Sequence, residues 1–125
     1  MPSLEQLGSK KYALLTTFRR DGRAVPTALW VMPDGEGLAF WTPRDSGKVK
    51  RIRNNGRVTV AACDFRGNPS GEAVEGLARL GDEADRARVG KVLARKYGLM
   101  GRLSLWGSRL RRGRDGTVII LVQET

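Results

Sequence analysis

The chain has 125 residues and carries 23 Lys and Arg against 13 Asp and Glu, a formal net charge of +10 at pH 7. That length makes a single domain over residues 1–125, and 40% hydrophobic with 29% charged residues describe a folded globule, not a disordered or fibrous chain. There is no His and only one Cys, so imidazole-based nucleophilic sites, the common imidazole metal sites and intrachain disulfides are all excluded.

The first expected strand is Tyr12 to Phe18, followed by a tight turn at Arg20-Asp21-Gly22 and a second strand from Ala24 to Met32. A turn at Pro33-Asp34-Gly35 leads to a third strand, Leu38 to Thr42. Ser46 to Asn54 reads as a short basic helix opened by an Asp45 or Ser46 cap and closed before Asn55-Gly56. Val58 to Cys63 and Ala73 to Leu80 supply two more strands. Cys63, a lone thiol in such a strand, reads as a small buried hydrophobe. A longer helix runs from Asp82 to Tyr97, with acids at Asp82, Glu83 and Asp85 favoured by the helix dipole. Leu99, Leu103, Trp106 and Leu110 then recur at helical spacing, in a stretch rich in Arg.

The last strand, Thr117 to Gln123, contains Val118-Ile119-Ile120-Leu121-Val122, with no polar alternate positions. It should be covered on both faces, and a partner subunit is the natural cover. That run is also the longest apolar one, far short of the roughly 20 residues of a membrane span. No apolar segment follows Met1, so no signal peptide is expected and the chain reads as cytosolic. Six strands in meander order with two or three short helices predict a mainly β fold, a small antiparallel barrel.

The basic charge is localised. Arg44 to Arg57 holds six basic residues and one acid, and Arg102 to Asp115 five and one. An anionic partner follows from such a field, and a solvated basic face is the plainer alternative. Without His or a metal cluster, any reaction must draw its reactive atoms from a bound cofactor.

Two segments carry the chemistry. In Thr42-Pro43-Arg44-Asp45-Ser46-Gly47-Lys48, a strand end is followed by a turn and a helix start, whose N–H groups and positive dipole end suit an anion. Ser46 offers a hydroxyl, Gly47 close approach to the backbone, and Lys48 a point charge. The spacing is not that of a Walker loop, and an ordinary capped basic helix fits the same residues equally well. In Val25-Pro26-Thr27-Ala28-Leu29-Trp30-Val31, Pro26 removes a ladder donor and marks an edge strand or bulge, leaving backbone groups open to a ligand. Trp30 and Trp41 are of a kind to flank a flat ring, although aromatic residues in strands are more often core.

These segments, taken with Lys50-Arg51-Ile52-Arg53, Asn55-Gly56-Arg57-Val58-Thr59-Val60 and Val74-Glu75-Gly76, resemble the pyridoxamine 5′-phosphate oxidase-like split-barrel superfamily. Within it they look most like the actinobacterial branch of oxidoreductases that use the deazaflavin coenzyme F420. The resemblance runs from Tyr12 to the C-terminus. It implies a homodimer of six-stranded antiparallel split barrels with a cofactor, F420 or alternatively FMN, in a groove between subunits. It further implies that Lys48 pairs with the cofactor phosphate, that Ser46 and Thr42 donate hydroxyls at the Gly47 turn, and that Pro26, Thr27 and Ala28 border the ring, with Lys50 and Arg51 as additional contacts. The chain departs from the family pattern at Ala28 and Gly56, where Pro is common. The resemblance names no catalytic acid and no metal.

The function so implied is hydride transfer between F420 and a conjugated organic substrate. Two alternatives remain: a carrier that binds F420, a tetrapyrrole or a flavin without turnover, and a nucleic-acid binder supported by charge alone, without a helix-turn-helix, RRM or zinc-finger pattern.

Overall fold

The structure, a computed structural model, describes residues 3–112 and 116–125, and the side chains of all of these except 99–112. The elements in order are α1 (Leu4–Leu7), β1 (Tyr12–Phe18), β2 (Ala24–Trp30), β3 (Met32–Asp34), β4 (Gly37–Pro43), α2 (Gly47–Asn54), β5 (Arg57–Cys63), β6 (Val74–Leu80), α3 (Glu83–Arg112) and β7 (Thr117–Glu124). The short helix α1 lies outside the expected set. Its signature is nevertheless in the sequence: Ser3 and Gln6 cap each other's backbone N–H groups in a capping box.

All strands join one antiparallel sheet in the order β2-β1-β5-β6-β7-β4-β3. There are seven, not six, because the expected Ala24 to Met32 strand breaks at Val31. β2 pairs with β1 at one end of the sheet and β3 with β4 at the other. A single residue therefore joins the two ends of the strand order, which is possible only if the sheet curls back on itself. Val31 is fully buried, and outside the ladder its backbone groups need other partners. Its N–H donates to the Tyr97 hydroxyl at 3.1 Å, and its carbonyl accepts from Lys96 Nζ at 2.6 Å. The Lys96 ammonium also donates to the carbonyls of Gly8 and Lys10, and Tyr97 to that of Lys11. α3 is thereby tied both to the chain entering β1 and to the β2–β3 junction. The turn expected at Pro33-Asp34-Gly35 shifts by two residues, with Pro33 and Asp34 in β3 and the reversal at Gly35, whose φ of 62° suits glycine.

The concave side of the sheet holds the main core, built from Ala13, Leu15, Val58, Val60, Phe40, Ile120 and Val122, and closed by Leu4 and Leu7 of α1 and Ile52 of α2. The convex side of β3, β4 and β7 is covered by α3. Val89 and Leu93 there meet Met32, Ala39, Ile119 and Leu121, with Trp30 and Trp41 against the cluster. Thr117 through Val122 are thus all buried, as the unbroken apolar run requires. The cover, however, is the chain's own helix, and the strand does not need a partner subunit for it.

α3 begins as the acids predict. Asp82 Oδ1 accepts from the Asp85 N–H, and Asp85 Oδ2 from the Asp82 N–H, both at 2.9 Å. At Gly98 the backbone leaves helical space, with φ 56° and ψ −132°, so α3 is two helical segments meeting at that residue. The stripe of Leu99, Leu103, Trp106 and Leu110 and the basic window from Arg102 lie outside the described side chains. Among the described residues no helix is long and apolar enough to cross a membrane.

Candidate functional site

The end of β4 and the start of α2 form one corner of the barrel. Thr42 is fully buried, and its Oγ1 lies 3.5 Å from Ser46 Oγ. Ser46 holds the N-cap position in an extended conformation, yet its hydroxyl makes no capping hydrogen bond to the helix. Both hydroxyls therefore stand beside a helix start whose first N–H groups have no intrahelical acceptor. Lys48 follows, half-buried. Its pKa is lowered, first by burial and then by the neighbouring Arg51 charge.

Arg51 completes the corner from one turn further along α2. Its guanidinium folds back over Gly47, where a Cβ would meet Nη1 at 2.8 Å, so any side chain at Gly47 would displace the cation. Its Nε donates to Thr17 Oγ1 of β1 at 2.6 Å. Burial and the charge of Arg19 both lower its pKa. The structure thus brings Thr42, Ser46, Gly47, Lys48 and Arg51 together. Lys50 is exposed and points elsewhere, into a basic cavity of about 450 Å³ with Phe18, Arg19, Arg20, Arg51, Asn54 and Asn55.

The β2 residues divide between the two faces of the sheet. β2 is an edge strand, as Pro26 predicts, and its ladder partner is β1. Directly paired residues share a face. Pro26 pairs with Thr16 and Ala28 with Leu14, which places them on the convex side together with Thr59 and Ala61 of β5. Thr27 pairs with Leu15 and belongs to the concave side, opposite to Pro26 and Ala28. Thr27 instead shares its face with Val25, the partner of Thr17, through which Arg51 reaches the barrel. At Ala28 the convex face is also approached by the Asp64–Asn68 loop, since a Cβ on Gly67 would lie 3.8 Å from Ala28 Cβ and 3.6 Å from Leu14 Cδ1.

Trp30 and Trp41 serve packing. Trp30 stacks on Tyr97, with centroids 4.4 Å apart and planes 6° from parallel, and Trp41 packs under α3. Cys63 is half-buried, and burial pushes its thiol pKa up, as suits an inert side chain. Thr17 and Arg19 are the site neighbours that sequence reasoning missed. The first is one of seven alternating strand residues, and the second stands in a turn that gave no sign of facing a helix.

The geometry is that of an antiparallel split barrel with an anion-receptive corner of hydroxyls, helix N–H groups and cations. The family model for pyridoxamine 5′-phosphate oxidase matches residues 3–120, and the chain belongs to that split-barrel family of flavin- and F420-binding proteins, oxidoreductases among them. No curated protein matches it. Among solved structures, an F420 reductase is 26% identical, with 100% of this chain and 96% of that chain covered and a TM-score of 0.65. A conserved hypothetical protein from Mycobacterium tuberculosis is 19% identical over 94% of this chain and 75% of its own, with a TM-score of 0.71. The heme storage protein HutZ from Vibrio cholerae is 13% identical over 93% and 82%, with a TM-score of 0.67.

Proposed function

We propose that this protein is a homodimeric, F420-dependent reductase whose cofactor phosphate is held at the start of α2. The observation that carries this reading is the Ser46 hydroxyl, which occupies a cap position without capping and stands with Thr42 beside the half-buried Lys48. Among the described residues Lys48 is in no ion pair, so its partly desolvated charge is uncompensated until an anion arrives. Hydroxyl, ammonium and helix N–H donors in one corner match the oxygens of a phosphate monoester or diester. The similarity to the F420 reductase over nearly the full length of both chains supports F420 over FMN.

When bound, reduced F420 supplies the hydride. The chain's part is to anchor the phosphate through Ser46, Thr42 and Lys48, and to leave the convex β2 face at Pro26 and Ala28 open to a flat ring. Leu14, Ala61 and Gly67 give that face an apolar surface that excludes water once a second subunit covers it. Phe65 and Leu77, 67% and 55% exposed, supply further apolar area for that subunit. Thr27, turned to the concave side, has a packing role in this account.

The test is reoxidation of reduced F420 by the purified protein in the presence of conjugated carbonyl compounds. Saturable, protein-dependent reoxidation is expected. Tight binding without turnover across such a panel favours a carrier instead. Failure to bind F420 or FMN, with retention of duplex DNA at moderate salt, turns the reading to nucleic acid.

A further inference from the structure

A separate cavity, of about 470 Å³, lies where β1 begins and β2 ends, against the end of the first α3 segment. Its wall is Ser9, Lys11, Tyr12, Trp30, Lys96 and Tyr97, three aromatic rings and two cations with no carboxylate. The volume falls within the range of about 300–1,000 Å³ that small-molecule sites occupy. Tyr12 and Trp30 are direct ladder partners, so their side chains share the convex face. Tyr97 stacks on Trp30, with 4.4 Å between ring centroids.

Half of this wall is already bound within the protein. Ser9 Oγ donates to the Gln6 carbonyl at 3.0 Å. The Lys96 ammonium gives its three hydrogens to the carbonyls of Gly8, Lys10 and Val31. The Tyr97 hydroxyl lies between the carbonyls of Lys11 and Val31 and accepts from the Val31 N–H. These bonds hold the aromatic wall in place before any ligand arrives. Among the described residues, the remaining polar groups of the wall have no hydrogen-bond or ion-pair partner: the Lys11 ammonium, the Trp30 indole N–H and the Tyr12 hydroxyl. The first two can only donate, and the third donates or accepts. Lys11 is exposed, its ammonium 5.7 Å from the centre of the Tyr12 ring. A flat ligand with a carboxylate at one end matches a free cation beside further donors. A cationic ligand would meet Lys11 and Lys96 with no acid in the wall to offset them.

We infer that this cavity binds flat aromatic carboxylates and that Lys11 selects their charge. The site lies beside the surface proposed for the cofactor ring, not within it. Tyr12 and Trp30 stand two residues from the Leu14 and Ala28 pair on the same face, about 6.8 Å along the strands. A ligand in the cavity is therefore the neighbour of a ring at Pro26 and Ala28. In the reductase reading this makes the substrate a conjugated acid, a statement that rests on the proposed F420 site, whereas carboxylate binding does not.

The test is calorimetric titration of the protein at low ionic strength with 2-naphthoate and its neutral counterpart 2-naphthamide. The wild type should bind the acid about two- to fivefold more tightly than the amide, the range of an exposed ion pair. Lys11→Gln should abolish that preference and Lys11→Arg should keep it, with unchanged melting temperatures verifying that both variants fold. The Trp30 indole N–H resonance, assigned by its loss in Trp30→Phe, should shift on addition of the acid. Equal affinity for acid and amide, a preference that survives Lys11→Gln, an unmoved Trp30 resonance or no binding of either compound overturns the inference. The substrate class is read separately, from reoxidation of reduced F420 by 3-benzoylacrylate and by its amide. The acid should have the lower KM with the wild type and Lys11→Arg but not with Lys11→Gln, and equal KM values for the wild type overturn the substrate assignment. F420 binding without Lys11-dependent naphthoate binding overturns the cavity and leaves the phosphate corner standing. Lys11-dependent naphthoate binding in a protein that binds no F420 upholds the cavity and removes the substrate role.

Discussion

Lys48 pays for its position through partial burial beside Arg51, so its charge should matter to a ligand more than to the fold. Lys48→Ala is expected to weaken F420 binding by about 1.5–3 kcal/mol, the range for hydrogen bonds to charged groups, with the melting temperature unchanged or slightly raised. A fluorescence titration alongside a thermal melt checks both halves. Tyr97 is the opposite case, a residue whose polar atom serves the fold. Its hydroxyl completes the backbone of Val31, and burial pushes its pKa up to about 12 from the ordinary value of 10. Between those two values the unfolded chain loses the proton and the folded chain keeps it, so stability should fall as pH rises from 10 toward 12. Tyr97→Phe should cost about 0.5–1.5 kcal/mol at neutral pH and flatten that alkaline decline, as read by urea denaturation across the pH series.

At the scale of elements, the start of α3 predicts an acid-side dependence. The Asp82 N–H and then Arg88 hold the Asp85 carboxyl below the usual carboxylate range, despite the opposing effect of burial. The stability it contributes is present above the unfolded value and lost as pH falls through the lowered folded value. Asp85→Asn should therefore destabilise at pH 7 and weaken the pH dependence on the acid side. For β7, Ile119 faces α3 and Ile120 the concave core, and both are buried. Ile119→Asp and Ile120→Asp should each unfold the protein, because a carboxylate on either face lacks a partner. Circular dichroism of both variants checks this. The β7 pattern was legible because an unbroken apolar run means two covered faces, but which element covers the second face is a long-range fact absent from the run itself. The break at Val31 was illegible for a related reason. Val31 is apolar like its neighbours, and what removes it from the ladder is the closure of the sheet and the partners Lys96 and Tyr97, 65 and 66 residues away. The helix start at Ser46 was legible from local residues. The separation of Lys50 from Lys48, and of Thr27 from Pro26 and Ala28, depended on faces that only the register assigns.

For the molecule as a whole, the described side chains of α3 pack on β3 and on the convex side of β4 and β7, while Leu77, paired with Arg57, stands exposed on the convex face of β6. A dimer through this face predicts that Leu77→Lys with Phe65→Ser yields a folded monomer by light scattering, whereas the wild type gives twice that mass. The central claim, that the α2 corner anchors F420, is tested most directly by parallel fluorescence titrations of the wild-type protein with F420 and with FMN at low ionic strength. The account predicts saturable binding of both, with F420 the tighter. No binding of F420, or FMN bound more tightly than F420, would contradict it.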